Sequence, residues 1–173
     1  AELAAGDPRY PALLSALETA LDSIPGPLHL CGLSLGGVLA MDYALRHPKR
    51  VASLVLCGTP LTMPRNLLWL QDFLFRLMPE RAFAGSGFSR EAMRQLAGSM
   101  AELDLRPRLP ELSCPVLVLC GSKDRANRKA ARELAEQLPQ ARLHWIAGAG
   151  HEANLDSPEV MAELLRGFYQ SLS

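Results

Sequence analysis

One serine in this chain of 173 residues has a setting suited to nucleophilic catalysis. Ser34 stands in GLSLGG, where an apolar run gives way to a helical pattern. Gly32 and Gly36 bracket it at two residues on either side, as a tight strand-to-helix turn requires. Such a turn lifts a serine off a sheet at a backbone cost of about 1–3 kcal/mol. Because the following helix directs free N–H groups here, Leu35 N–H is the predicted oxyanion donor.

A serine hydroxyl becomes a good nucleophile only when a base takes its proton. The predicted base is His151, which lies in the glycine-rich loop GAGHEANLDSP directly after an apolar strand. Loops at the carboxyl ends of parallel strands are where such sites assemble. The remaining histidines are assigned to strand packing or to a helix end; they are His29, His144 and His47.

The base in turn needs a carboxylate to fix its tautomer and to stabilise the imidazolium. The candidate is Asp124, which closes the segment GSKD at the end of another apolar strand. An aspartate of this kind is also common in plain turns. Glu152 is a weaker alternative because it is adjacent to His151 and adjacent side chains do not share an orientation. Asp156 is interpreted as a residue at the start of a helix.

The elements that position these residues follow from alternating apolar and helical patterns. Strands are predicted at 28–33, 51–57, 115–120 and 141–147. Helices are predicted at 10–24, 36–47 and 126–138, and a last helix opens with Ser157 as N-cap and Pro158 at the first helical position. Near-continuous apolar strands separated by helices indicate an α/β fold with a parallel sheet covered on both faces.

Composition excludes several classes of protein. Lys and Arg number 18, as do Asp and Glu, so there is no electrostatic case for nucleic acid or a membrane surface. No apolar run reaches the roughly 18 residues of a membrane span. No cysteine spacing suits zinc, and no metal or cofactor is expected. The four cysteines are interpreted as buried free thiols of a cytoplasmic protein; they are Cys31, Cys57, Cys114 and Cys120.

The order Ser34, Asp124, His151 is that of the α/β-hydrolases. The segments GLSLGG, HPKRVASLVLCGTP, PVLVLCGSKD and GAGHEANLDSPE closely resemble that superfamily, in its branch of small bacterial serine esterases and enol-lactonases. The resemblance implies hydrolysis of small carboxylic esters through an acyl-enzyme on Ser34. The same triad also serves lactone, thioester or C–C bond hydrolysis and perhydrolysis. A non-enzymatic alternative is an inactive remnant that forms part of a larger assembly.

The long connection at 59–113 exceeds what a crossover needs. By resemblance it is a helical cap, inserted in a core made of 1–58 and 114–173. It contains helical patterns at 66–78 and near 89–103, and the residues predicted to line an acyl pocket are Trp69, Phe73 and Leu77. The alternative is that this apolar helix packs on the core or at a subunit interface.

The chain also departs from the family pattern. Members of the family carry four further strands before the nucleophile strand, and a loop among them supplies the second oxyanion donor. By resemblance the chain begins at the preceding helix, which makes strand 28–33 an edge. An apolar edge is a pairing hazard, so we expect a homodimer through this strand. Loss of one oxyanion donor costs about 10²–10³ in rate, and the Thr59 hydroxyl is a weak candidate to replace it.

Overall fold

The sheet of the computed structural model, which describes residues 6–62 and 89–172, has four parallel strands. They lie side by side in chain order: β1 (Leu28–Leu33), β2 (Val51–Cys57), β3 (Val116–Gly121) and β4 (Ala141–Ile146). The predicted α/β class and parallel sheet are confirmed. Every residue of β3 is buried, whereas both outer strands expose part of their side chains.

The helices match the helical patterns closely. They are α1 (Tyr10–Asp22), α2 (Leu35–Arg46), α3 (Arg90–Ser99), α4 (Arg128–Gln137), α5 (Ala153–Asp156) and α6 (Pro158–Gln170). Short 3-10 turns cover Pro48–Arg50 and Arg106–Glu111. Ser157 is the N-cap of α6, as predicted, but its side chain makes no capping hydrogen bond. The predicted helix 66–78 lies outside the described residues.

The chain divides into two compact units. One contains α1 and α3, where the Tyr10 N–H donates to Ser99 Oγ at 2.8 Å. The other comprises residues 26–60 and 106–173 and contains the whole sheet. This division groups α1 with part of the 59–113 insert rather than with the sheet. The predicted core and cap domains stay a prediction.

Each face of the sheet is covered by helices within the second unit. On one face α6 contributes Met161 and Phe168 to a core with side chains of β2 and β3, namely Val55, Cys57, Leu117 and Leu119. The other residues of these strands point to the opposite face, which the crossover helices α2 and α4 cover. Burial of each large apolar side chain contributes about 1.5–3 kcal/mol, so the sheet is a rigid base for the loops at its carboxyl end.

The cysteines are only partly as predicted. All four are free, and Cys57 and Cys120 are buried in β2 and β3. Cys31 is exposed and Cys114 is half-buried, which corrects the expectation of four buried thiols. Cys31 lies on β1, an outer strand that buries only part of its side chains. In the described part of the chain, no helix is long and apolar enough to cross a membrane.

Candidate active site

Ser34 occupies a strained turn between β1 and α2. Its φ of 52° and ψ of −116° make it the one residue other than glycine with positive φ in the described ranges. Its N–H donates to the Cys57 carbonyl at 2.8 Å, and its carbonyl accepts from Gly37 N–H and Val38 N–H. The hydrogen bonding between β1 and β2 thus continues to Ser34, and α2 starts at the next residue. Backbone strain is stored at this one position, as the sequence predicts for a nucleophile.

The glycines around Ser34 differ in whether a side chain would fit at their positions. A Cβ at Gly32 would collide with the backbone of Gly36 and Gly37, so a side chain at Gly32 cannot fit. A Cβ at Gly37 would collide with the Thr59 side chain. At Gly36, by contrast, no atom of the described residues would lie within 4 Å of a Cβ. The expectation that the turn requires Gly36 for steric reasons is therefore wrong, and Gly37 takes that role.

The backbone at the start of α2 offers a hydrogen-bond donor beside Ser34. The Leu35 N–H precedes the first intrahelical bonds and has no partner among the described residues. It is available to an oxyanion, in line with its predicted role. Thr59 does not supply a second donor, because its hydroxyl is buried and donates to the Cys57 carbonyl at 3.3 Å.

Asp124 and His151 form a hydrogen-bonded pair. Nδ1 of His151 lies 2.8 Å from Oδ2 of Asp124. The Asp124 side chain is 4% exposed, whereas that of His151 is 43% exposed. In the tautomer that donates from Nδ1, the lone pair of Nε2 points away from the carboxylate and is available for a proton. This is the arrangement in which a buried carboxylate orients a partly exposed base.

Gly58, at the end of β2, connects this pair to the serine turn. Its φ is +52°, and a Cβ there would lie 3.1 Å from His151 Nδ1 and 3.2 Å from Asp124 Oδ2. The Ser34 N–H is bonded to the carbonyl of Cys57, the residue before Gly58. Ser34 and the Asp124–His151 pair therefore both adjoin the carboxyl end of β2. No hydrogen bond joins Ser34 Oγ to His151 within the described residues, which is common before substrate binds.

Two loops at the carboxyl ends of β3 and β4 are tied together and hold the pair. Lys123 N–H donates to the Ala149 carbonyl and Ser122 N–H to the Ile146 carbonyl, both at 2.9 Å. A Cβ at Gly121 would collide with the second loop, so the two backbones touch there. Asp124 and His151 therefore share one rigid scaffold.

Asp156 has a different role from the one predicted. It is the last residue of α5 rather than a helix-start residue, and its Oδ2 accepts from Gly150 N–H at 2.6 Å. The bond closes the loop that carries His151. Glu152, the weaker alternative to Asp124, is exposed and precedes α5, and the carboxylate bonded to His151 is that of Asp124.

Asn127 is a site residue that the sequence analysis missed. Its Nδ2 donates to both carboxylate oxygens of Asp124, at 3.0 and 2.9 Å, and lies 3.2 Å from His151 Nδ1. When Nδ1 carries its proton toward Asp124, the Asn127 amide bonds the carboxylate alone. Asn127 sits at the N-cap position of α4, yet its side chain makes no cap bond. In the sequence, an asparagine three residues after Asp124 indicates only the start of a helix, so its contact with Asp124 is not predicted.

The other histidines lie away from this pair. His29 Nδ1 is 2.8 Å from Ser53 Oγ, and its ring meets the Tyr169 ring edge-on. His144 is exposed on β4, and His47 is the C-cap of α2. The predicted pocket residues Trp69, Phe73 and Leu77 lie outside the described residues. Among residues that are described, no group of three or more His, Cys, Asp or Glu side chains is arranged to hold a metal ion.

Comparison with known proteins identifies the family to which this fold is similar. The model of the alpha/beta hydrolase family matches residues 4–164. The pimeloyl-[acyl-carrier protein] methyl ester esterase of Aromatoleum aromaticum is 30% identical over 200 residues, covering 91% of this chain and 80% of that protein. A thermophilic esterase from Thermogutta terrifontis is 25% identical with a TM-score of 0.77, covering 96% of this chain and 74% of the esterase. The enol-lactonase from Burkholderia xenovorans LB400 shares the fold, with a TM-score of 0.82 at 21% identity, and the match covers 95% of this chain and 74% of that one.

Proposed function

We propose that this chain, which belongs to the α/β-hydrolase family, hydrolyses carboxylic esters through an acyl-enzyme formed on Ser34. The observation that carries the proposal is the buried carboxylate of Asp124 bonded at 2.8 Å to Nδ1 of a half-exposed His151. The strained turn at Ser34 adjoins the same end of β2. Relatives with esterase activity support the reaction type, while the roles of the three residues are part of the proposal.

In the first half of the proposed reaction, Ser34 Oγ attacks the ester carbonyl carbon and His151 Nε2 takes its proton. The Leu35 N–H donates to the resulting oxyanion. The bond from carbon to the alcohol oxygen then breaks, and His151 returns the proton to that oxygen. Asp124 keeps the imidazole in the required tautomer and stabilises its charged form.

In the second half, His151 takes a proton from water, whose oxygen attacks the acyl carbon. The bond to Ser34 Oγ breaks as His151 protonates the serine, and the carboxylic acid leaves. Asn127 contributes by holding both Asp124 oxygens, so the carboxylate does not rotate away from Nδ1.

For the substrate, we propose esters of acyl chains, with those held on an acyl-carrier protein as the first class to test. The Aromatoleum relative is named for the methyl ester of such a carrier-bound chain, and the match covers four-fifths of its length. Small esters of p-nitrophenol are the general probe, because their good leaving group lowers the demand on the oxyanion site.

The test is steady-state turnover of p-nitrophenyl butyrate by the purified protein. We expect the wild-type protein to release p-nitrophenol. We expect kcat of Ser34→Ala to be at least about 10³-fold lower, because Ser34 is the proposed nucleophile. The matched control is Ser157→Ala, because the Ser157 hydroxyl makes no capping hydrogen bond. We expect turnover by this variant to stay within about twofold of wild type. No turnover by wild type, or equal turnover by Ser34→Ala, contradicts the proposal and favours the inactive remnant.

A further inference from the structure

A basic face follows the loop that carries Asp124. Five cations occur within ten residues, and all five side chains are exposed: Lys123, Arg125, Arg128, Lys129 and Arg132. The acids that share α4 come later, and one of them, Glu133, accepts from Gln137 rather than from an arginine. The face therefore carries a local excess of positive charge in a chain whose formal net charge is zero.

None of these five cations forms an ion pair within the described residues. Arginines elsewhere in the described chain pair with nearby acids, as Arg46 does with Asp42 at 3.0 Å and Arg108 with Glu111 at 2.9 Å. Here Arg128 and Arg132 repel each other at i and i+4. The first turn of α4 also holds cations and no acid, which is unfavourable at that end of a helix. Ion pairing within the described residues therefore does not account for this cluster of cations.

An exposed aromatic side chain lies within the same face. Trp145 on β4 is 39% exposed. The guanidinium carbons of Arg128 and Arg132 lie 5.7 and 5.4 Å from its ring centroid. Tryptophan and arginine are the residue types most enriched at the energetic centres of protein interfaces. Apolar area and charge are thus combined on one surface, as a protein partner requires.

The basic face is continuous with the candidate active site. Asp124 and Asn127, which hold His151, belong to the same ten-residue stretch as the five cations. A partner seated on this face lies at the carboxyl end of β3, where the site is assembled.

We propose that this face, made of Lys123, Arg125, Arg128, Lys129, Arg132 and Trp145, docks an acidic protein that presents the acyl ester to Ser34. The inference rests on the proposed function and adds the partner's surface to it. Charge complementarity selects an acidic partner and speeds its association. The exposed Trp145 favours a protein over a uniform polyanion, because it adds apolar contact. Vesicles and nucleic acid are the competing occupants, and the test includes both.

The test measures binding of fluorescently labelled apo acyl-carrier protein to the Ser34→Ala chain, which binds without turnover. The test variant adds the double substitution Arg125→Glu and Lys129→Glu to the Ser34→Ala chain. Both cations are exposed, and the cation–π contacts of Trp145 are made by Arg128 and Arg132 instead. The matched control is Lys49→Glu with Arg166→Glu, which makes the same change in net charge outside the face. We expect the first pair to weaken binding about tenfold or more and the control pair less than about twofold. Binding should also weaken with added salt.

Three outcomes overturn the proposal: no measurable carrier binding at low salt, equal loss in both pairs, or tighter binding to phosphatidylglycerol vesicles or single-stranded DNA than to the carrier. Melting curves of each variant show that the fold is kept. Turnover of p-nitrophenyl butyrate by wild type is recorded in parallel. Its absence contradicts the proposed function alone, because carrier binding is scored on a chain that needs no chemistry.

Discussion

At the scale of single residues, Asn127 is the group whose role is easiest to separate from folding. Its amide donates to both oxygens of Asp124. We predict that Asn127→Asp moves the acid limb of the kcat/KM profile to higher pH. A second carboxylate beside His151 favours the charged imidazolium, and that form cannot accept the serine proton. The profile is measured with p-nitrophenyl butyrate.

The companion variant Asn127→Ala tests positioning without added charge. We expect kcat to fall by about tenfold with KM little changed, because Asp124 is less firmly held, and the acid limb to stay in place. If Asn127→Asp shifts the profile no more than Asn127→Ala does, the amide has no electrostatic link to the base.

The buried thiols give a second prediction at this scale. Burial, with the neighbouring Cys31 and Cys120 thiols and Asp124, raises the pKa of Cys57 to about 12. Burial and Asp124 raise the pKa of Cys120 to about 11. Both stay protonated and unreactive at pH 8, since only the thiolate attacks.

We expect a maleimide at pH 8 and low protein concentration to label Cys31 well before Cys57 or Cys120. Desolvation raises the pKa of Cys31 as well, so its labelling is slower than that of a free thiol, but its side chain is accessible. Peptide mass spectrometry reads the sites, with labelling in urea as the control. Equal labelling of Cys31 and Cys57 in the folded protein contradicts the assigned burial.

At the scale of elements, the glycines of the serine turn make a matched pair. We predict that Gly32→Ala lowers the free energy of unfolding by about 2 kcal/mol, because its Cβ meets backbone that cannot yield. Gly36→Ala raises the free energy of unfolding by about 0.4–1 kcal/mol, since the methyl group meets no atom of the described residues and restricts the unfolded chain. Urea unfolding measures both. Equal effects at the two positions would falsify the geometry of this turn.

The same turn shows what sequence reasoning can reach. The apolar runs predict the bounds of β1 and β2 to the residue, although only β2 is almost fully buried and β1 exposes part of its side chains. The sequence also predicts that Asp124 and His151 lie together, because each follows a strand end, and the two are bonded at 2.8 Å. The role of Gly58 cannot be predicted from the sequence, since the side chains it makes room for, Asp124 and His151, come from two distant loops. Asn127 likewise lies between Asp124 and His151, which are 27 residues apart in the chain. Contacts of that kind leave no local pattern.

At the scale of the whole molecule, the free side of β1 determines the assembly that we propose. Among residues 6–62 and 89–172, β1 pairs with β2 alone, and Cys31 on it is exposed. We propose that β1 pairs with β1 of a second copy about a two-fold axis, which removes the edge. Light scattering should give twice the 18.8 kDa of the chain.

A second readout follows from the position of Cys31. Its labelling by maleimide should slow as protein concentration rises, because the dimer covers β1, while labelling of unfolded protein does not change. A mass of one chain at every concentration, with constant Cys31 labelling, rules out this dimer.

The central claim is that Ser34 is a nucleophile activated by the Asp124–His151 pair, and covalent labelling by a fluorophosphonate tests it most directly. Intact mass spectrometry should show one adduct per wild-type chain, and peptide mapping should place it on Ser34. We predict no adduct on Ser34→Ala and labelling at least about 10²-fold slower in His151→Ala. A wild-type chain that stays unlabelled, or an adduct that persists in Ser34→Ala, would contradict the account.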